Sequence, residues 1–598
     1  MSSVVPSLSP RKVSIRVGGA AGDGIASVAE TLAKACSRQG LYVFAYNSYQ
    51  SVIRGGHINM QIRIGAKRVW SQGDQCDFLV ALNQDTIARH AGEITPGGGV
   101  IYNKEKIKLD AAVLPQGVND FGIPSSTIAG KYGKSPIMQN TVALGALSFV
   151  ANLPFEAVKG VIIDTFKKKG EIVVNSNVGA AQAGFDYASE NFKKVEFTWQ
   201  LSGKKRMFLT GNQAIALGAV AGGCKFYSAY PMTPASGILH WLAPKGSKYG
   251  IVVKQCEDEI SAMNMAVGAG HVGARSMTGT SGGGFALMTE AVGLAAMIEA
   301  PVVVVNCQRG GPSTGLPTKQ EQGDLFQAIG ASQGDFPKII LAPATVDDAF
   351  YSTAEALNLA EIYQCPVILL SDLLLSEHYE TIDDLDFSKI KIERGEMVNE
   401  NRNGSETYKR YLSTPSGISP RALPGMEGMM YTAASDEHDE DGVVISDVFT
   451  DPAKRIVMMD KRMRKMDTVL KNLPEPKLEG PANAELTFVT WGSTYYVVRD
   501  VIHRLEKEGI SVNHLNIKYL WPFQSAAISK ILKSCKQTLI VEANFTGQLE
   551  RLIRQETGLS IENHLRKYDG EPFGPESVHA KAKSLLQGAK IPELAGKS

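Results

Sequence analysis

Apolar positions along the first third of the chain switch between the spacing of strands and the spacing of helices. A strand pattern at 12–17 precedes a glycine-rich loop at 18–24, and apolar residues then recur every three or four positions over 29–36. Further short apolar runs follow at 41–45, 78–82 and 100–102. This alternation predicts a βαβ layer structure. Helical patterns over 138–149 and 157–166 close this first unit, which we expect to end near residue 195.

A second α/β unit is predicted from about residue 206. It starts with a helical pattern over 214–221 and a short strand at 226–229. Continuous β-branched runs at 301–305 and 367–370 are typical of strands in a parallel sheet that is covered on both faces. Glycines crowd the stretch 268–315, which predicts loops that approach a ligand or another backbone closely.

The pattern breaks after about residue 380. The stretch 381–476 is charged and rich in turn residues, which favours an extended surface arm that joins two domains. From residue 477 onward, strand-like and helix-like runs alternate again. We therefore predict an α/β protein of several doubly wound domains, with boundaries at 1–195, 196–380, 381–476 (the linker) and 477–598.

Charge and hydropathy exclude several classes of function. The 62 Lys and Arg residues nearly balance the 61 Asp and Glu residues, so the net charge is +1 and no excess of cations is available to meet nucleic-acid phosphates. The longest apolar stretch, 282–305, is interrupted by Glu290, Glu299 and Pro301, which argues against a bilayer span. The segment 1–12 lacks the apolar region of a signal peptide. We expect a cytoplasmic protein that binds neither membranes nor nucleic acid.

Cysteine spacing argues against metal clusters and disulfides in this chain. The seven cysteines stand singly, at 36, 76, 224, 256, 307, 365 and 535, and no C-x-x-C occurs. An iron–sulfur cluster needs several converging thiolates, usually with two of them closely spaced. We expect these cysteines to be small buried hydrophobic residues, and we predict no metal ligands in the chain.

The loop after the first strand has the context of an anion site. Its glycines, among them Gly22 and Gly24, would let backbone N–H groups and a helix N-terminus face a phosphate. The spacing differs from G-x-G-x-x-G and no acid follows about 20 residues later, which disfavours a nicotinamide site. Arg54 lies beside a Gly-Gly bend that is either a polar hairpin or a holder for an anionic group of a coenzyme. A structural turn and a phosphate cradle both stay open for the loop.

Chemistry-bearing residues converge in the second unit. Glu259 belongs to an acidic first turn of a predicted helix, where acids usually serve as partners of the helix dipole. Two other residues of the same unit change this interpretation. Thr233 stands between two prolines, and Arg309 comes directly after a predicted buried strand. In a doubly wound sheet ligands bind outside the carboxyl ends of strands, where the guanidinium of Arg309 could hold a carboxylate through two bonds.

These motifs resemble those of a known family. The second unit resembles the α subunit of 2-oxoacid:ferredoxin oxidoreductases through Tyr230-Pro231-Met232-Thr233-Pro234-Ala235-Ser236, Glu259-Ile260-Ser261-Ala262, Gly279-Thr280-Ser281-Gly282-Gly283-Gly284 and Gln308-Arg309-Gly310-Gly311-Pro312-Ser313-Thr314-Gly315. The first unit resembles the family's γ subunit, and the last resembles a transketolase C-terminal domain at Trp491-Gly492-Ser493 and Leu520-Trp521-Pro522-Phe523. The resemblance covers nearly the whole chain, in γ–α fused order.

The resemblance implies a cofactor and roles for individual residues. Glu259 would hydrogen-bond N1′ of the thiamine diphosphate pyrimidine, in a pocket formed with Tyr230, Pro231, Thr280 and Ser281. Thr233 and Arg309 match positions that bind the 2-oxoacid, and Lys319 is the candidate cation for a distal carboxylate. Gly22, Gly24 and Arg54 are candidates for coenzyme A or phosphate. The Mg²⁺ ion, the diphosphate site and the [4Fe–4S] cluster would belong to a β subunit in a (γα)₂β₂ assembly, with ferredoxin as electron acceptor.

The implied reaction is the oxidative decarboxylation of 2-oxoglutarate with coenzyme A to succinyl-CoA, CO₂ and reduced ferredoxin. The γ–α fusion favours 2-oxoglutarate only by analogy of architecture. A pyruvate or branched-chain 2-oxoacid enzyme is the alternative within the class. A non-redox, transketolase-like thiamine enzyme and a non-catalytic coenzyme-binding scaffold are alternatives outside it.

Overall fold

The chain folds into two compact units. The computed structural model describes residues 12–51, 55–133, 135, 137–195, 197–398, 407–446 and 450–588. The first unit comprises the residues up to Leu209 together with His378–Asp384 and Gly574–Glu576, and the second unit comprises the rest. Both contain β-sheets flanked by helices, so the predicted α/β fold class is confirmed.

The first unit is built on a mixed eight-stranded sheet. Numbered along the chain, its strands are β1 Val13–Ala21, β2 Tyr42–Ser48, β3 Gly55–Gly65, β4 Cys76–Ala81, β5 Ile94–Asn103, β6 Asn119–Ile123, β7 Met207–Thr210 and β14 Tyr379–Ile382, in the order β6-β5-β4-β1-β3-β2-β14-β7. Its helices are α1 Ile25–Arg38, α2 Gln84–His90, α3 Ser125–Gly130, α4 Met138–Val150, α5 Phe155–Phe166 and α6 Glu171–Asn191. Strand β1 is parallel to β4 and antiparallel to β3.

One prediction for this unit is wrong. Residues Gly18–Ala21, predicted as part of a loop, continue strand β1 and pair with β3. A Cβ at Gly18 would lie 2.6 Å from the Thr86 methyl group, so this strand needs a glycine for close packing rather than for a turn. The turn itself is confined to Gly22–Gly24, where both glycines have positive φ.

A parallel sheet forms the centre of the second unit, as the β-branched runs predicted. Its strands are β8 Phe226–Ala229, β9 Val252–Gln255, β10 Ser276–Thr280, β11 Val302–Gln308, β12 Ile339–Leu341, β13 Pro366–Asp372 and the antiparallel β18 Tyr519–Trp521, in the order β18-β12-β13-β11-β10-β8-β9. A five-stranded sheet of order β15-β17-β16-β19-β20 follows, with β15 Leu478–Glu479, β16 Leu486–Thr490, β17 Val512–Asn516, β19 Thr538–Glu542 and β20 His564–Arg566.

Helices cover these two sheets. They are α7 Gly211–Ala221, α8 Ser236–Leu242, α9 Glu259–His271, α10 Gly282–Met297, α11 Leu325–Ile329, α12 Val346–Tyr363, α13 Leu373–Glu377, α14 Pro452–Asn472, α15 Thr494–Lys507, α16 Ser525–Ser534, α17 Gln548–Thr557 and α18 Pro575–Leu586. Apolar residues of α9 and α10 share one core with strand β11 and with residues of the five-stranded sheet. This core fixes the N-terminal ends of α9 and α10 beside the carboxyl edge of the parallel sheet.

The stretch 381–476 is not extended throughout. It contains α14, a helix of 21 residues whose buried face carries Lys461, Arg462 and Lys465 beside Met458, Met466 and Val469. The sequence pattern missed this helix because charged residues occupy core positions, where apolar periodicity is the usual signal. Tyr411 and Ala422 of the same stretch are also fully buried.

The hydropathy of the helices and the burial of the cysteines bear on two of the expectations from the sequence. Within the described part of the chain, no helix is both long and apolar enough to cross a membrane. Six of the seven cysteines are buried and Cys535 is half-buried. Burial raises the pKa of the Cys36, Cys224 and Cys307 thiols to about 12, which keeps them in the uncharged form.

Candidate active site

A cavity of about 650 Å³ opens at the carboxyl edge of the parallel sheet. The N-terminus of α10, the residues that follow β11 and the loop after β19 form its walls. Its lining residues are Met232, Gly282, Gly283, Ala286, Arg309, Gly310, Gly311, Pro312, Ser313, Thr314, Glu321, Gly323, Asp324, Gln327, Asn544, Phe545, Thr546 and Gln548. Because β8, β10 and β11 are parallel neighbours, the residues after their ends meet at this edge.

Glu259 is the first residue of α9 and is only 4% exposed. The preceding Asp258 caps the helix through a bond from the Ser261 N–H to its carboxylate, 2.7 Å long, so Glu259 is not needed as the cap. Its Oε1 is buried with no hydrogen-bond partner among the residues that the structure describes. An unpaired buried carboxylate oxygen is costly, and such a group is expected to meet a ligand.

Close packing keeps the Glu259 side chain in place. A Cβ at Gly284 would lie 2.2 Å from Thr280 Oγ1, 2.7 Å from Glu259 Cγ and 2.8 Å from Glu259 Oε1. Only a glycine leaves room for both side chains at this point of α10. Of the glycines at 282–284, Gly284 therefore makes room for the Glu259 carboxylate, whereas a Cβ at Gly282 would meet Asp324.

Thr280 and Ser281 form the link between β10 and α10. Both are fully buried. Thr280 Oγ1 lies 3.9 Å from the Met232 sulfur, and Ser281 Oγ has no hydrogen-bond partner within the described residues. Polar atoms thus face the space between Glu259 and the loop that follows β8.

Arg309 and Thr233 are also brought together. Arg309 Nη1 donates to the carbonyl oxygen of Thr233 at a distance of 2.8 Å. The guanidinium lines the cavity, so its position relative to the 230–234 loop is fixed by this bond. Tyr230 and Pro231 precede Met232 on the same loop, and Tyr230 is exposed.

Two acids of the cavity escaped the sequence analysis. Burial raises the pKa of Asp324 to about 6, although a bond from Asn306 and the charge of Arg309 partly oppose this. Burial and the Asp324 charge also raise the pKa of Glu321. A pair of acids three residues apart, soon after Arg309 in a glycine-containing stretch, is the signal that could have identified them.

Some predicted site residues lie elsewhere. The Lys319 ammonium contacts Glu571 at 2.5 Å, and Lys319 is not among the lining residues of the cavity. Gly24 caps α1 in the first unit, and the Asp23 carboxylate accepts the Ala20 N–H at 2.7 Å. Arg54 lies outside the described residues.

The residues at the carboxyl edge fit the aromatic ring of a cofactor better than a metal ion. A buried, unpaired carboxylate oxygen and two buried hydroxyls offer hydrogen bonds to ring nitrogens. Over the described ranges, no group of three or more His, Cys, Asp or Glu residues is arranged to hold a metal.

Three family models match the chain. They are described as pyruvate ferredoxin/flavodoxin oxidoreductase (residues 14–187), the thiamine diphosphate-binding part of pyruvate flavodoxin/ferredoxin oxidoreductase (217–456) and core domain II of pyruvate:ferredoxin oxidoreductase (484–578).

Relatives match over nearly the full length. The 2-oxoacid:ferredoxin oxidoreductase subunit alpha of Sulfolobus sp. is 34% identical, over 97% of this chain and 98% of its own. The 2-oxoglutarate oxidoreductase subunit KorA of Mycobacterium tuberculosis is 30% identical, over 97% and 92%. The solved 2-oxoglutarate:ferredoxin oxidoreductase from Magnetococcus marinus, with 2-oxoglutarate, coenzyme A and succinyl-CoA bound, is 38% identical. It covers 96% of this chain and 100% of its own, with a TM-score of 0.90.

Proposed function

Since this chain belongs to the 2-oxoacid:ferredoxin oxidoreductase family as an α subunit, we propose that Glu259 binds the pyrimidine ring of thiamine diphosphate. The observation that carries this proposal is the buried Oε1 of Glu259, which lacks a partner among the described residues. A ring nitrogen at hydrogen-bond distance would satisfy that oxygen. Tyr230, Pro231, Thr280 and Ser281 would enclose the ring.

Thiamine diphosphate, when bound, supplies the carbon nucleophile and the electron sink that decarboxylation of a 2-oxoacid requires. The chain's own residues would bind the cofactor ring and orient the substrate. Glu259 would hold the pyrimidine ring through Oε1, in a position that Gly284 keeps open. Arg309 binds the 1-carboxylate of the substrate, and its bond to the Thr233 carbonyl holds the guanidinium in that orientation.

We propose 2-oxoglutarate as the preferred substrate, with pyruvate or a branched-chain 2-oxoacid as the alternative. Two relatives support this choice by their names, the Magnetococcus marinus enzyme and the Mycobacterium tuberculosis subunit. The distal carboxylate needs a second cation, for which Lys319 is the proposed residue. To bind the substrate, Lys319 must exchange its contact with Glu571 for the substrate's carboxylate.

Other components would come from elsewhere in the assembly. We propose a β subunit that provides the diphosphate and Mg²⁺ site and a [4Fe–4S] cluster, in a cytoplasmic (γα)₂β₂ enzyme that reduces ferredoxin.

Coenzyme A would accept the acyl group, with Gly22, Gly24 and Arg54 of this chain as candidate contacts of the coenzyme or of a phosphate. A transketolase-like reaction would need neither iron nor ferredoxin.

The test is a substrate comparison with the purified complex and a viologen dye as electron acceptor. We expect kcat/KM to be higher for 2-oxoglutarate than for pyruvate in the wild-type enzyme. Lys319→Ala should lower kcat/KM for 2-oxoglutarate by roughly 10- to 150-fold, the scale of one charged hydrogen bond, and spare pyruvate. Glu571→Gln is the matched control: it removes the negative charge that now pairs with Lys319, and it should not lower kcat/KM for 2-oxoglutarate.

Three outcomes would reject parts of this proposal. A wild-type preference for pyruvate would overturn the choice of 2-oxoglutarate, and equal losses for both substrates would remove Lys319 from the site. A complex without iron that fails to reduce the dye would point to a non-redox thiamine enzyme.

A further inference from the structure

A second cavity, of about 210 Å³, lies at the opposite end of α10 from the candidate active site. The C-terminal half of α10, the loop at 332–336 and helix α14 form its walls. Its lining residues are Glu290, Gly293, Leu294, Ala296, Met297, Ser332, Gln333, Gly334, Asp335, Phe336, Ser435, Arg455, Met459 and Arg462. None of them takes part in the proposed reaction.

Arg462 gives this cavity an unmet binding capacity. The residue is only 2% exposed and lines the cavity. Its Nη2 donates to both oxygens of Glu437, at 2.8 and 2.7 Å, whereas its Nη1 is buried and has no hydrogen-bond partner among the described residues. A buried guanidinium N–H without an acceptor costs free energy, which an anion in the cavity would remove.

The local charge also favours an anion. Arg455 on the same helix face contacts Glu437 as well, so two guanidinium groups share a single carboxylate and one positive charge remains. Glu290 and Asp335 also line the cavity; both are exposed, as is Arg455, so water screens these three charges and the buried guanidinium of Arg462 determines the preference for an anion. The nearby Lys454 is paired with Asp439 at 2.7 Å.

The other residues of the cavity indicate the size and polarity of the rest of the ligand. Leu294, Met297, Phe336 and Met459 present apolar surface to the cavity. A volume near 210 Å³ is below that of sites for drug-sized molecules, so the occupant is small. We propose that this cavity binds a short-chain organic acid, with its carboxylate on Arg462 and Arg455 and its apolar chain against these four residues.

Helix α10 connects this site with the candidate active site. Its 16 residues span about 24 Å, from the glycines that line the larger cavity to the residues that line the smaller one. The 332–336 loop packs tightly on α10, since a Cβ at Gly293 would lie 2.4 Å from Ser332 Oγ. The two sites are nevertheless separate, and the proposal does not depend on the proposed reaction.

The test is calorimetric titration of the complete enzyme with butyrate as the probe, at constant ionic strength. We expect one saturable site per chain that is retained in Arg309→Ala. Arg462→Gln should weaken binding roughly 10- to 150-fold, the scale of a lost charged hydrogen bond, and Arg455→Gln should weaken it less. Arg464→Gln is the matched control on the same helix, because Arg464 bonds to Thr414 and Ser413 instead and should leave binding unchanged.

Several results would overturn the proposal. They are no saturable binding up to about 50 mM butyrate, where even a millimolar site would fill, and a loss of binding in Arg309→Ala, which would locate the acid in the larger cavity. Binding of inorganic phosphate without any of butyrate would contradict the apolar part of the site. Arg455→Gln keeps the test decisive if Arg462→Gln fails to fold, since the Arg455 side chain is 44% exposed.

Discussion

Glu259 and Glu299 are two buried glutamates at the ends of neighbouring helices, and their carboxylates have opposite surroundings. Glu299 follows α10 and is fully buried, with Lys461 on one oxygen and Lys465 on the other, the latter at 2.7 Å. Glu259 begins α9 and has a buried oxygen with no partner in the described part of the chain. A carboxylate that the chain neutralises is part of the fold, whereas one that it leaves unpaired is available to a ligand.

The electrostatics of Glu299 agree with a structural role. Burial alone would raise its pKa, but Lys461, Lys465 and Arg410 more than offset this effect and hold the pKa of Glu299 well below its ordinary value. Arg410 also donates to the Glu299 carbonyl oxygen at 2.9 Å. These contacts attach α14 and the Arg410 segment to the end of α10.

The largest effect that separates the two glutamates should appear in turnover. Glu259→Gln should lower kcat with a 2-oxoacid by ~10²–10⁴-fold, the scale of a lost acid–base group. Its free energy of unfolding should change by less than about 1 kcal/mol, because a first-turn carboxylate contributes little to its helix. Dye-reduction kinetics and denaturant unfolding of the same preparation measure the two effects. Activity within a factor of about ten of wild type would refute the assignment.

Glu299→Gln should give the reverse pattern. It leaves Lys461 and Lys465 buried without a countercharge, so we expect a loss of about 3–5 kcal/mol in the free energy of unfolding. The lowered pKa adds a pH signature: the stabilisation is present above the unfolded-state pKa of about 4.5 and is lost as pH falls further. In Glu299→Gln, the free energy of unfolding should lack this decrease at acid pH. Asp258→Asn, which changes an exposed helix cap, is a comparison for ordinary surface effects.

Arg309→Ala tests the substrate side of the comparison. We expect kcat/KM to fall by roughly 10- to 150-fold for every 2-oxoacid alike, because each carries the 1-carboxylate. Initial rates with 2-oxoglutarate and pyruvate measure this loss. A loss confined to one of the two substrates would assign Arg309 to the distal group instead.

The smallest predicted effect concerns Asp324. Above its pKa of about 6 this cavity acid is ionised and repels an anionic substrate, and below that pH it is neutral. The ratio of kcat/KM in Asp324→Asn to that in wild type should therefore rise by roughly tenfold as pH increases through about 6, the scale of one screened like-charge contact. A ratio that stays constant between pH 5 and pH 8 would contradict this role.

The sequence predicted those parts of the molecule in which apolar periodicity and structure agree. The strand predicted at 226–229 coincides with β8 and the run at 367–370 lies within β13, because nearly all residues of these two strands are buried. Helix α14 escaped because Lys461 and Lys465 occupy core positions, and nothing in the sequence names Glu299 as their partner. Strand β3 was missed although Ile58, Met60, Ile62 and Ile64 alternate with polar residues, because the strands were predicted from continuous apolar runs and this alternation was overlooked.

The candidate site was partly predictable for a different reason. Thr233, Glu259 and Arg309 were singled out through motifs. In the structure they follow the carboxyl ends of neighbouring parallel strands, which meet at one edge of the sheet. Asp324 carried a local signal, an acid pair three residues apart soon after Arg309, but its contacts with Asn306 and with Gly282 of α10 could not be inferred from that signal. Chain separation hides such contacts from any local pattern.

We propose above that the unpaired oxygen of Glu259 binds the cofactor, and a structure of the bound state tests this assignment. The most direct measurement is a high-resolution structure of the complete enzyme soaked with thiamine diphosphate. We expect Glu259 Oε1 at about 2.6–3.2 Å from a nitrogen of the pyrimidine ring. A pyrimidine ring bound elsewhere, with Glu259 bonded to protein or water, would contradict it.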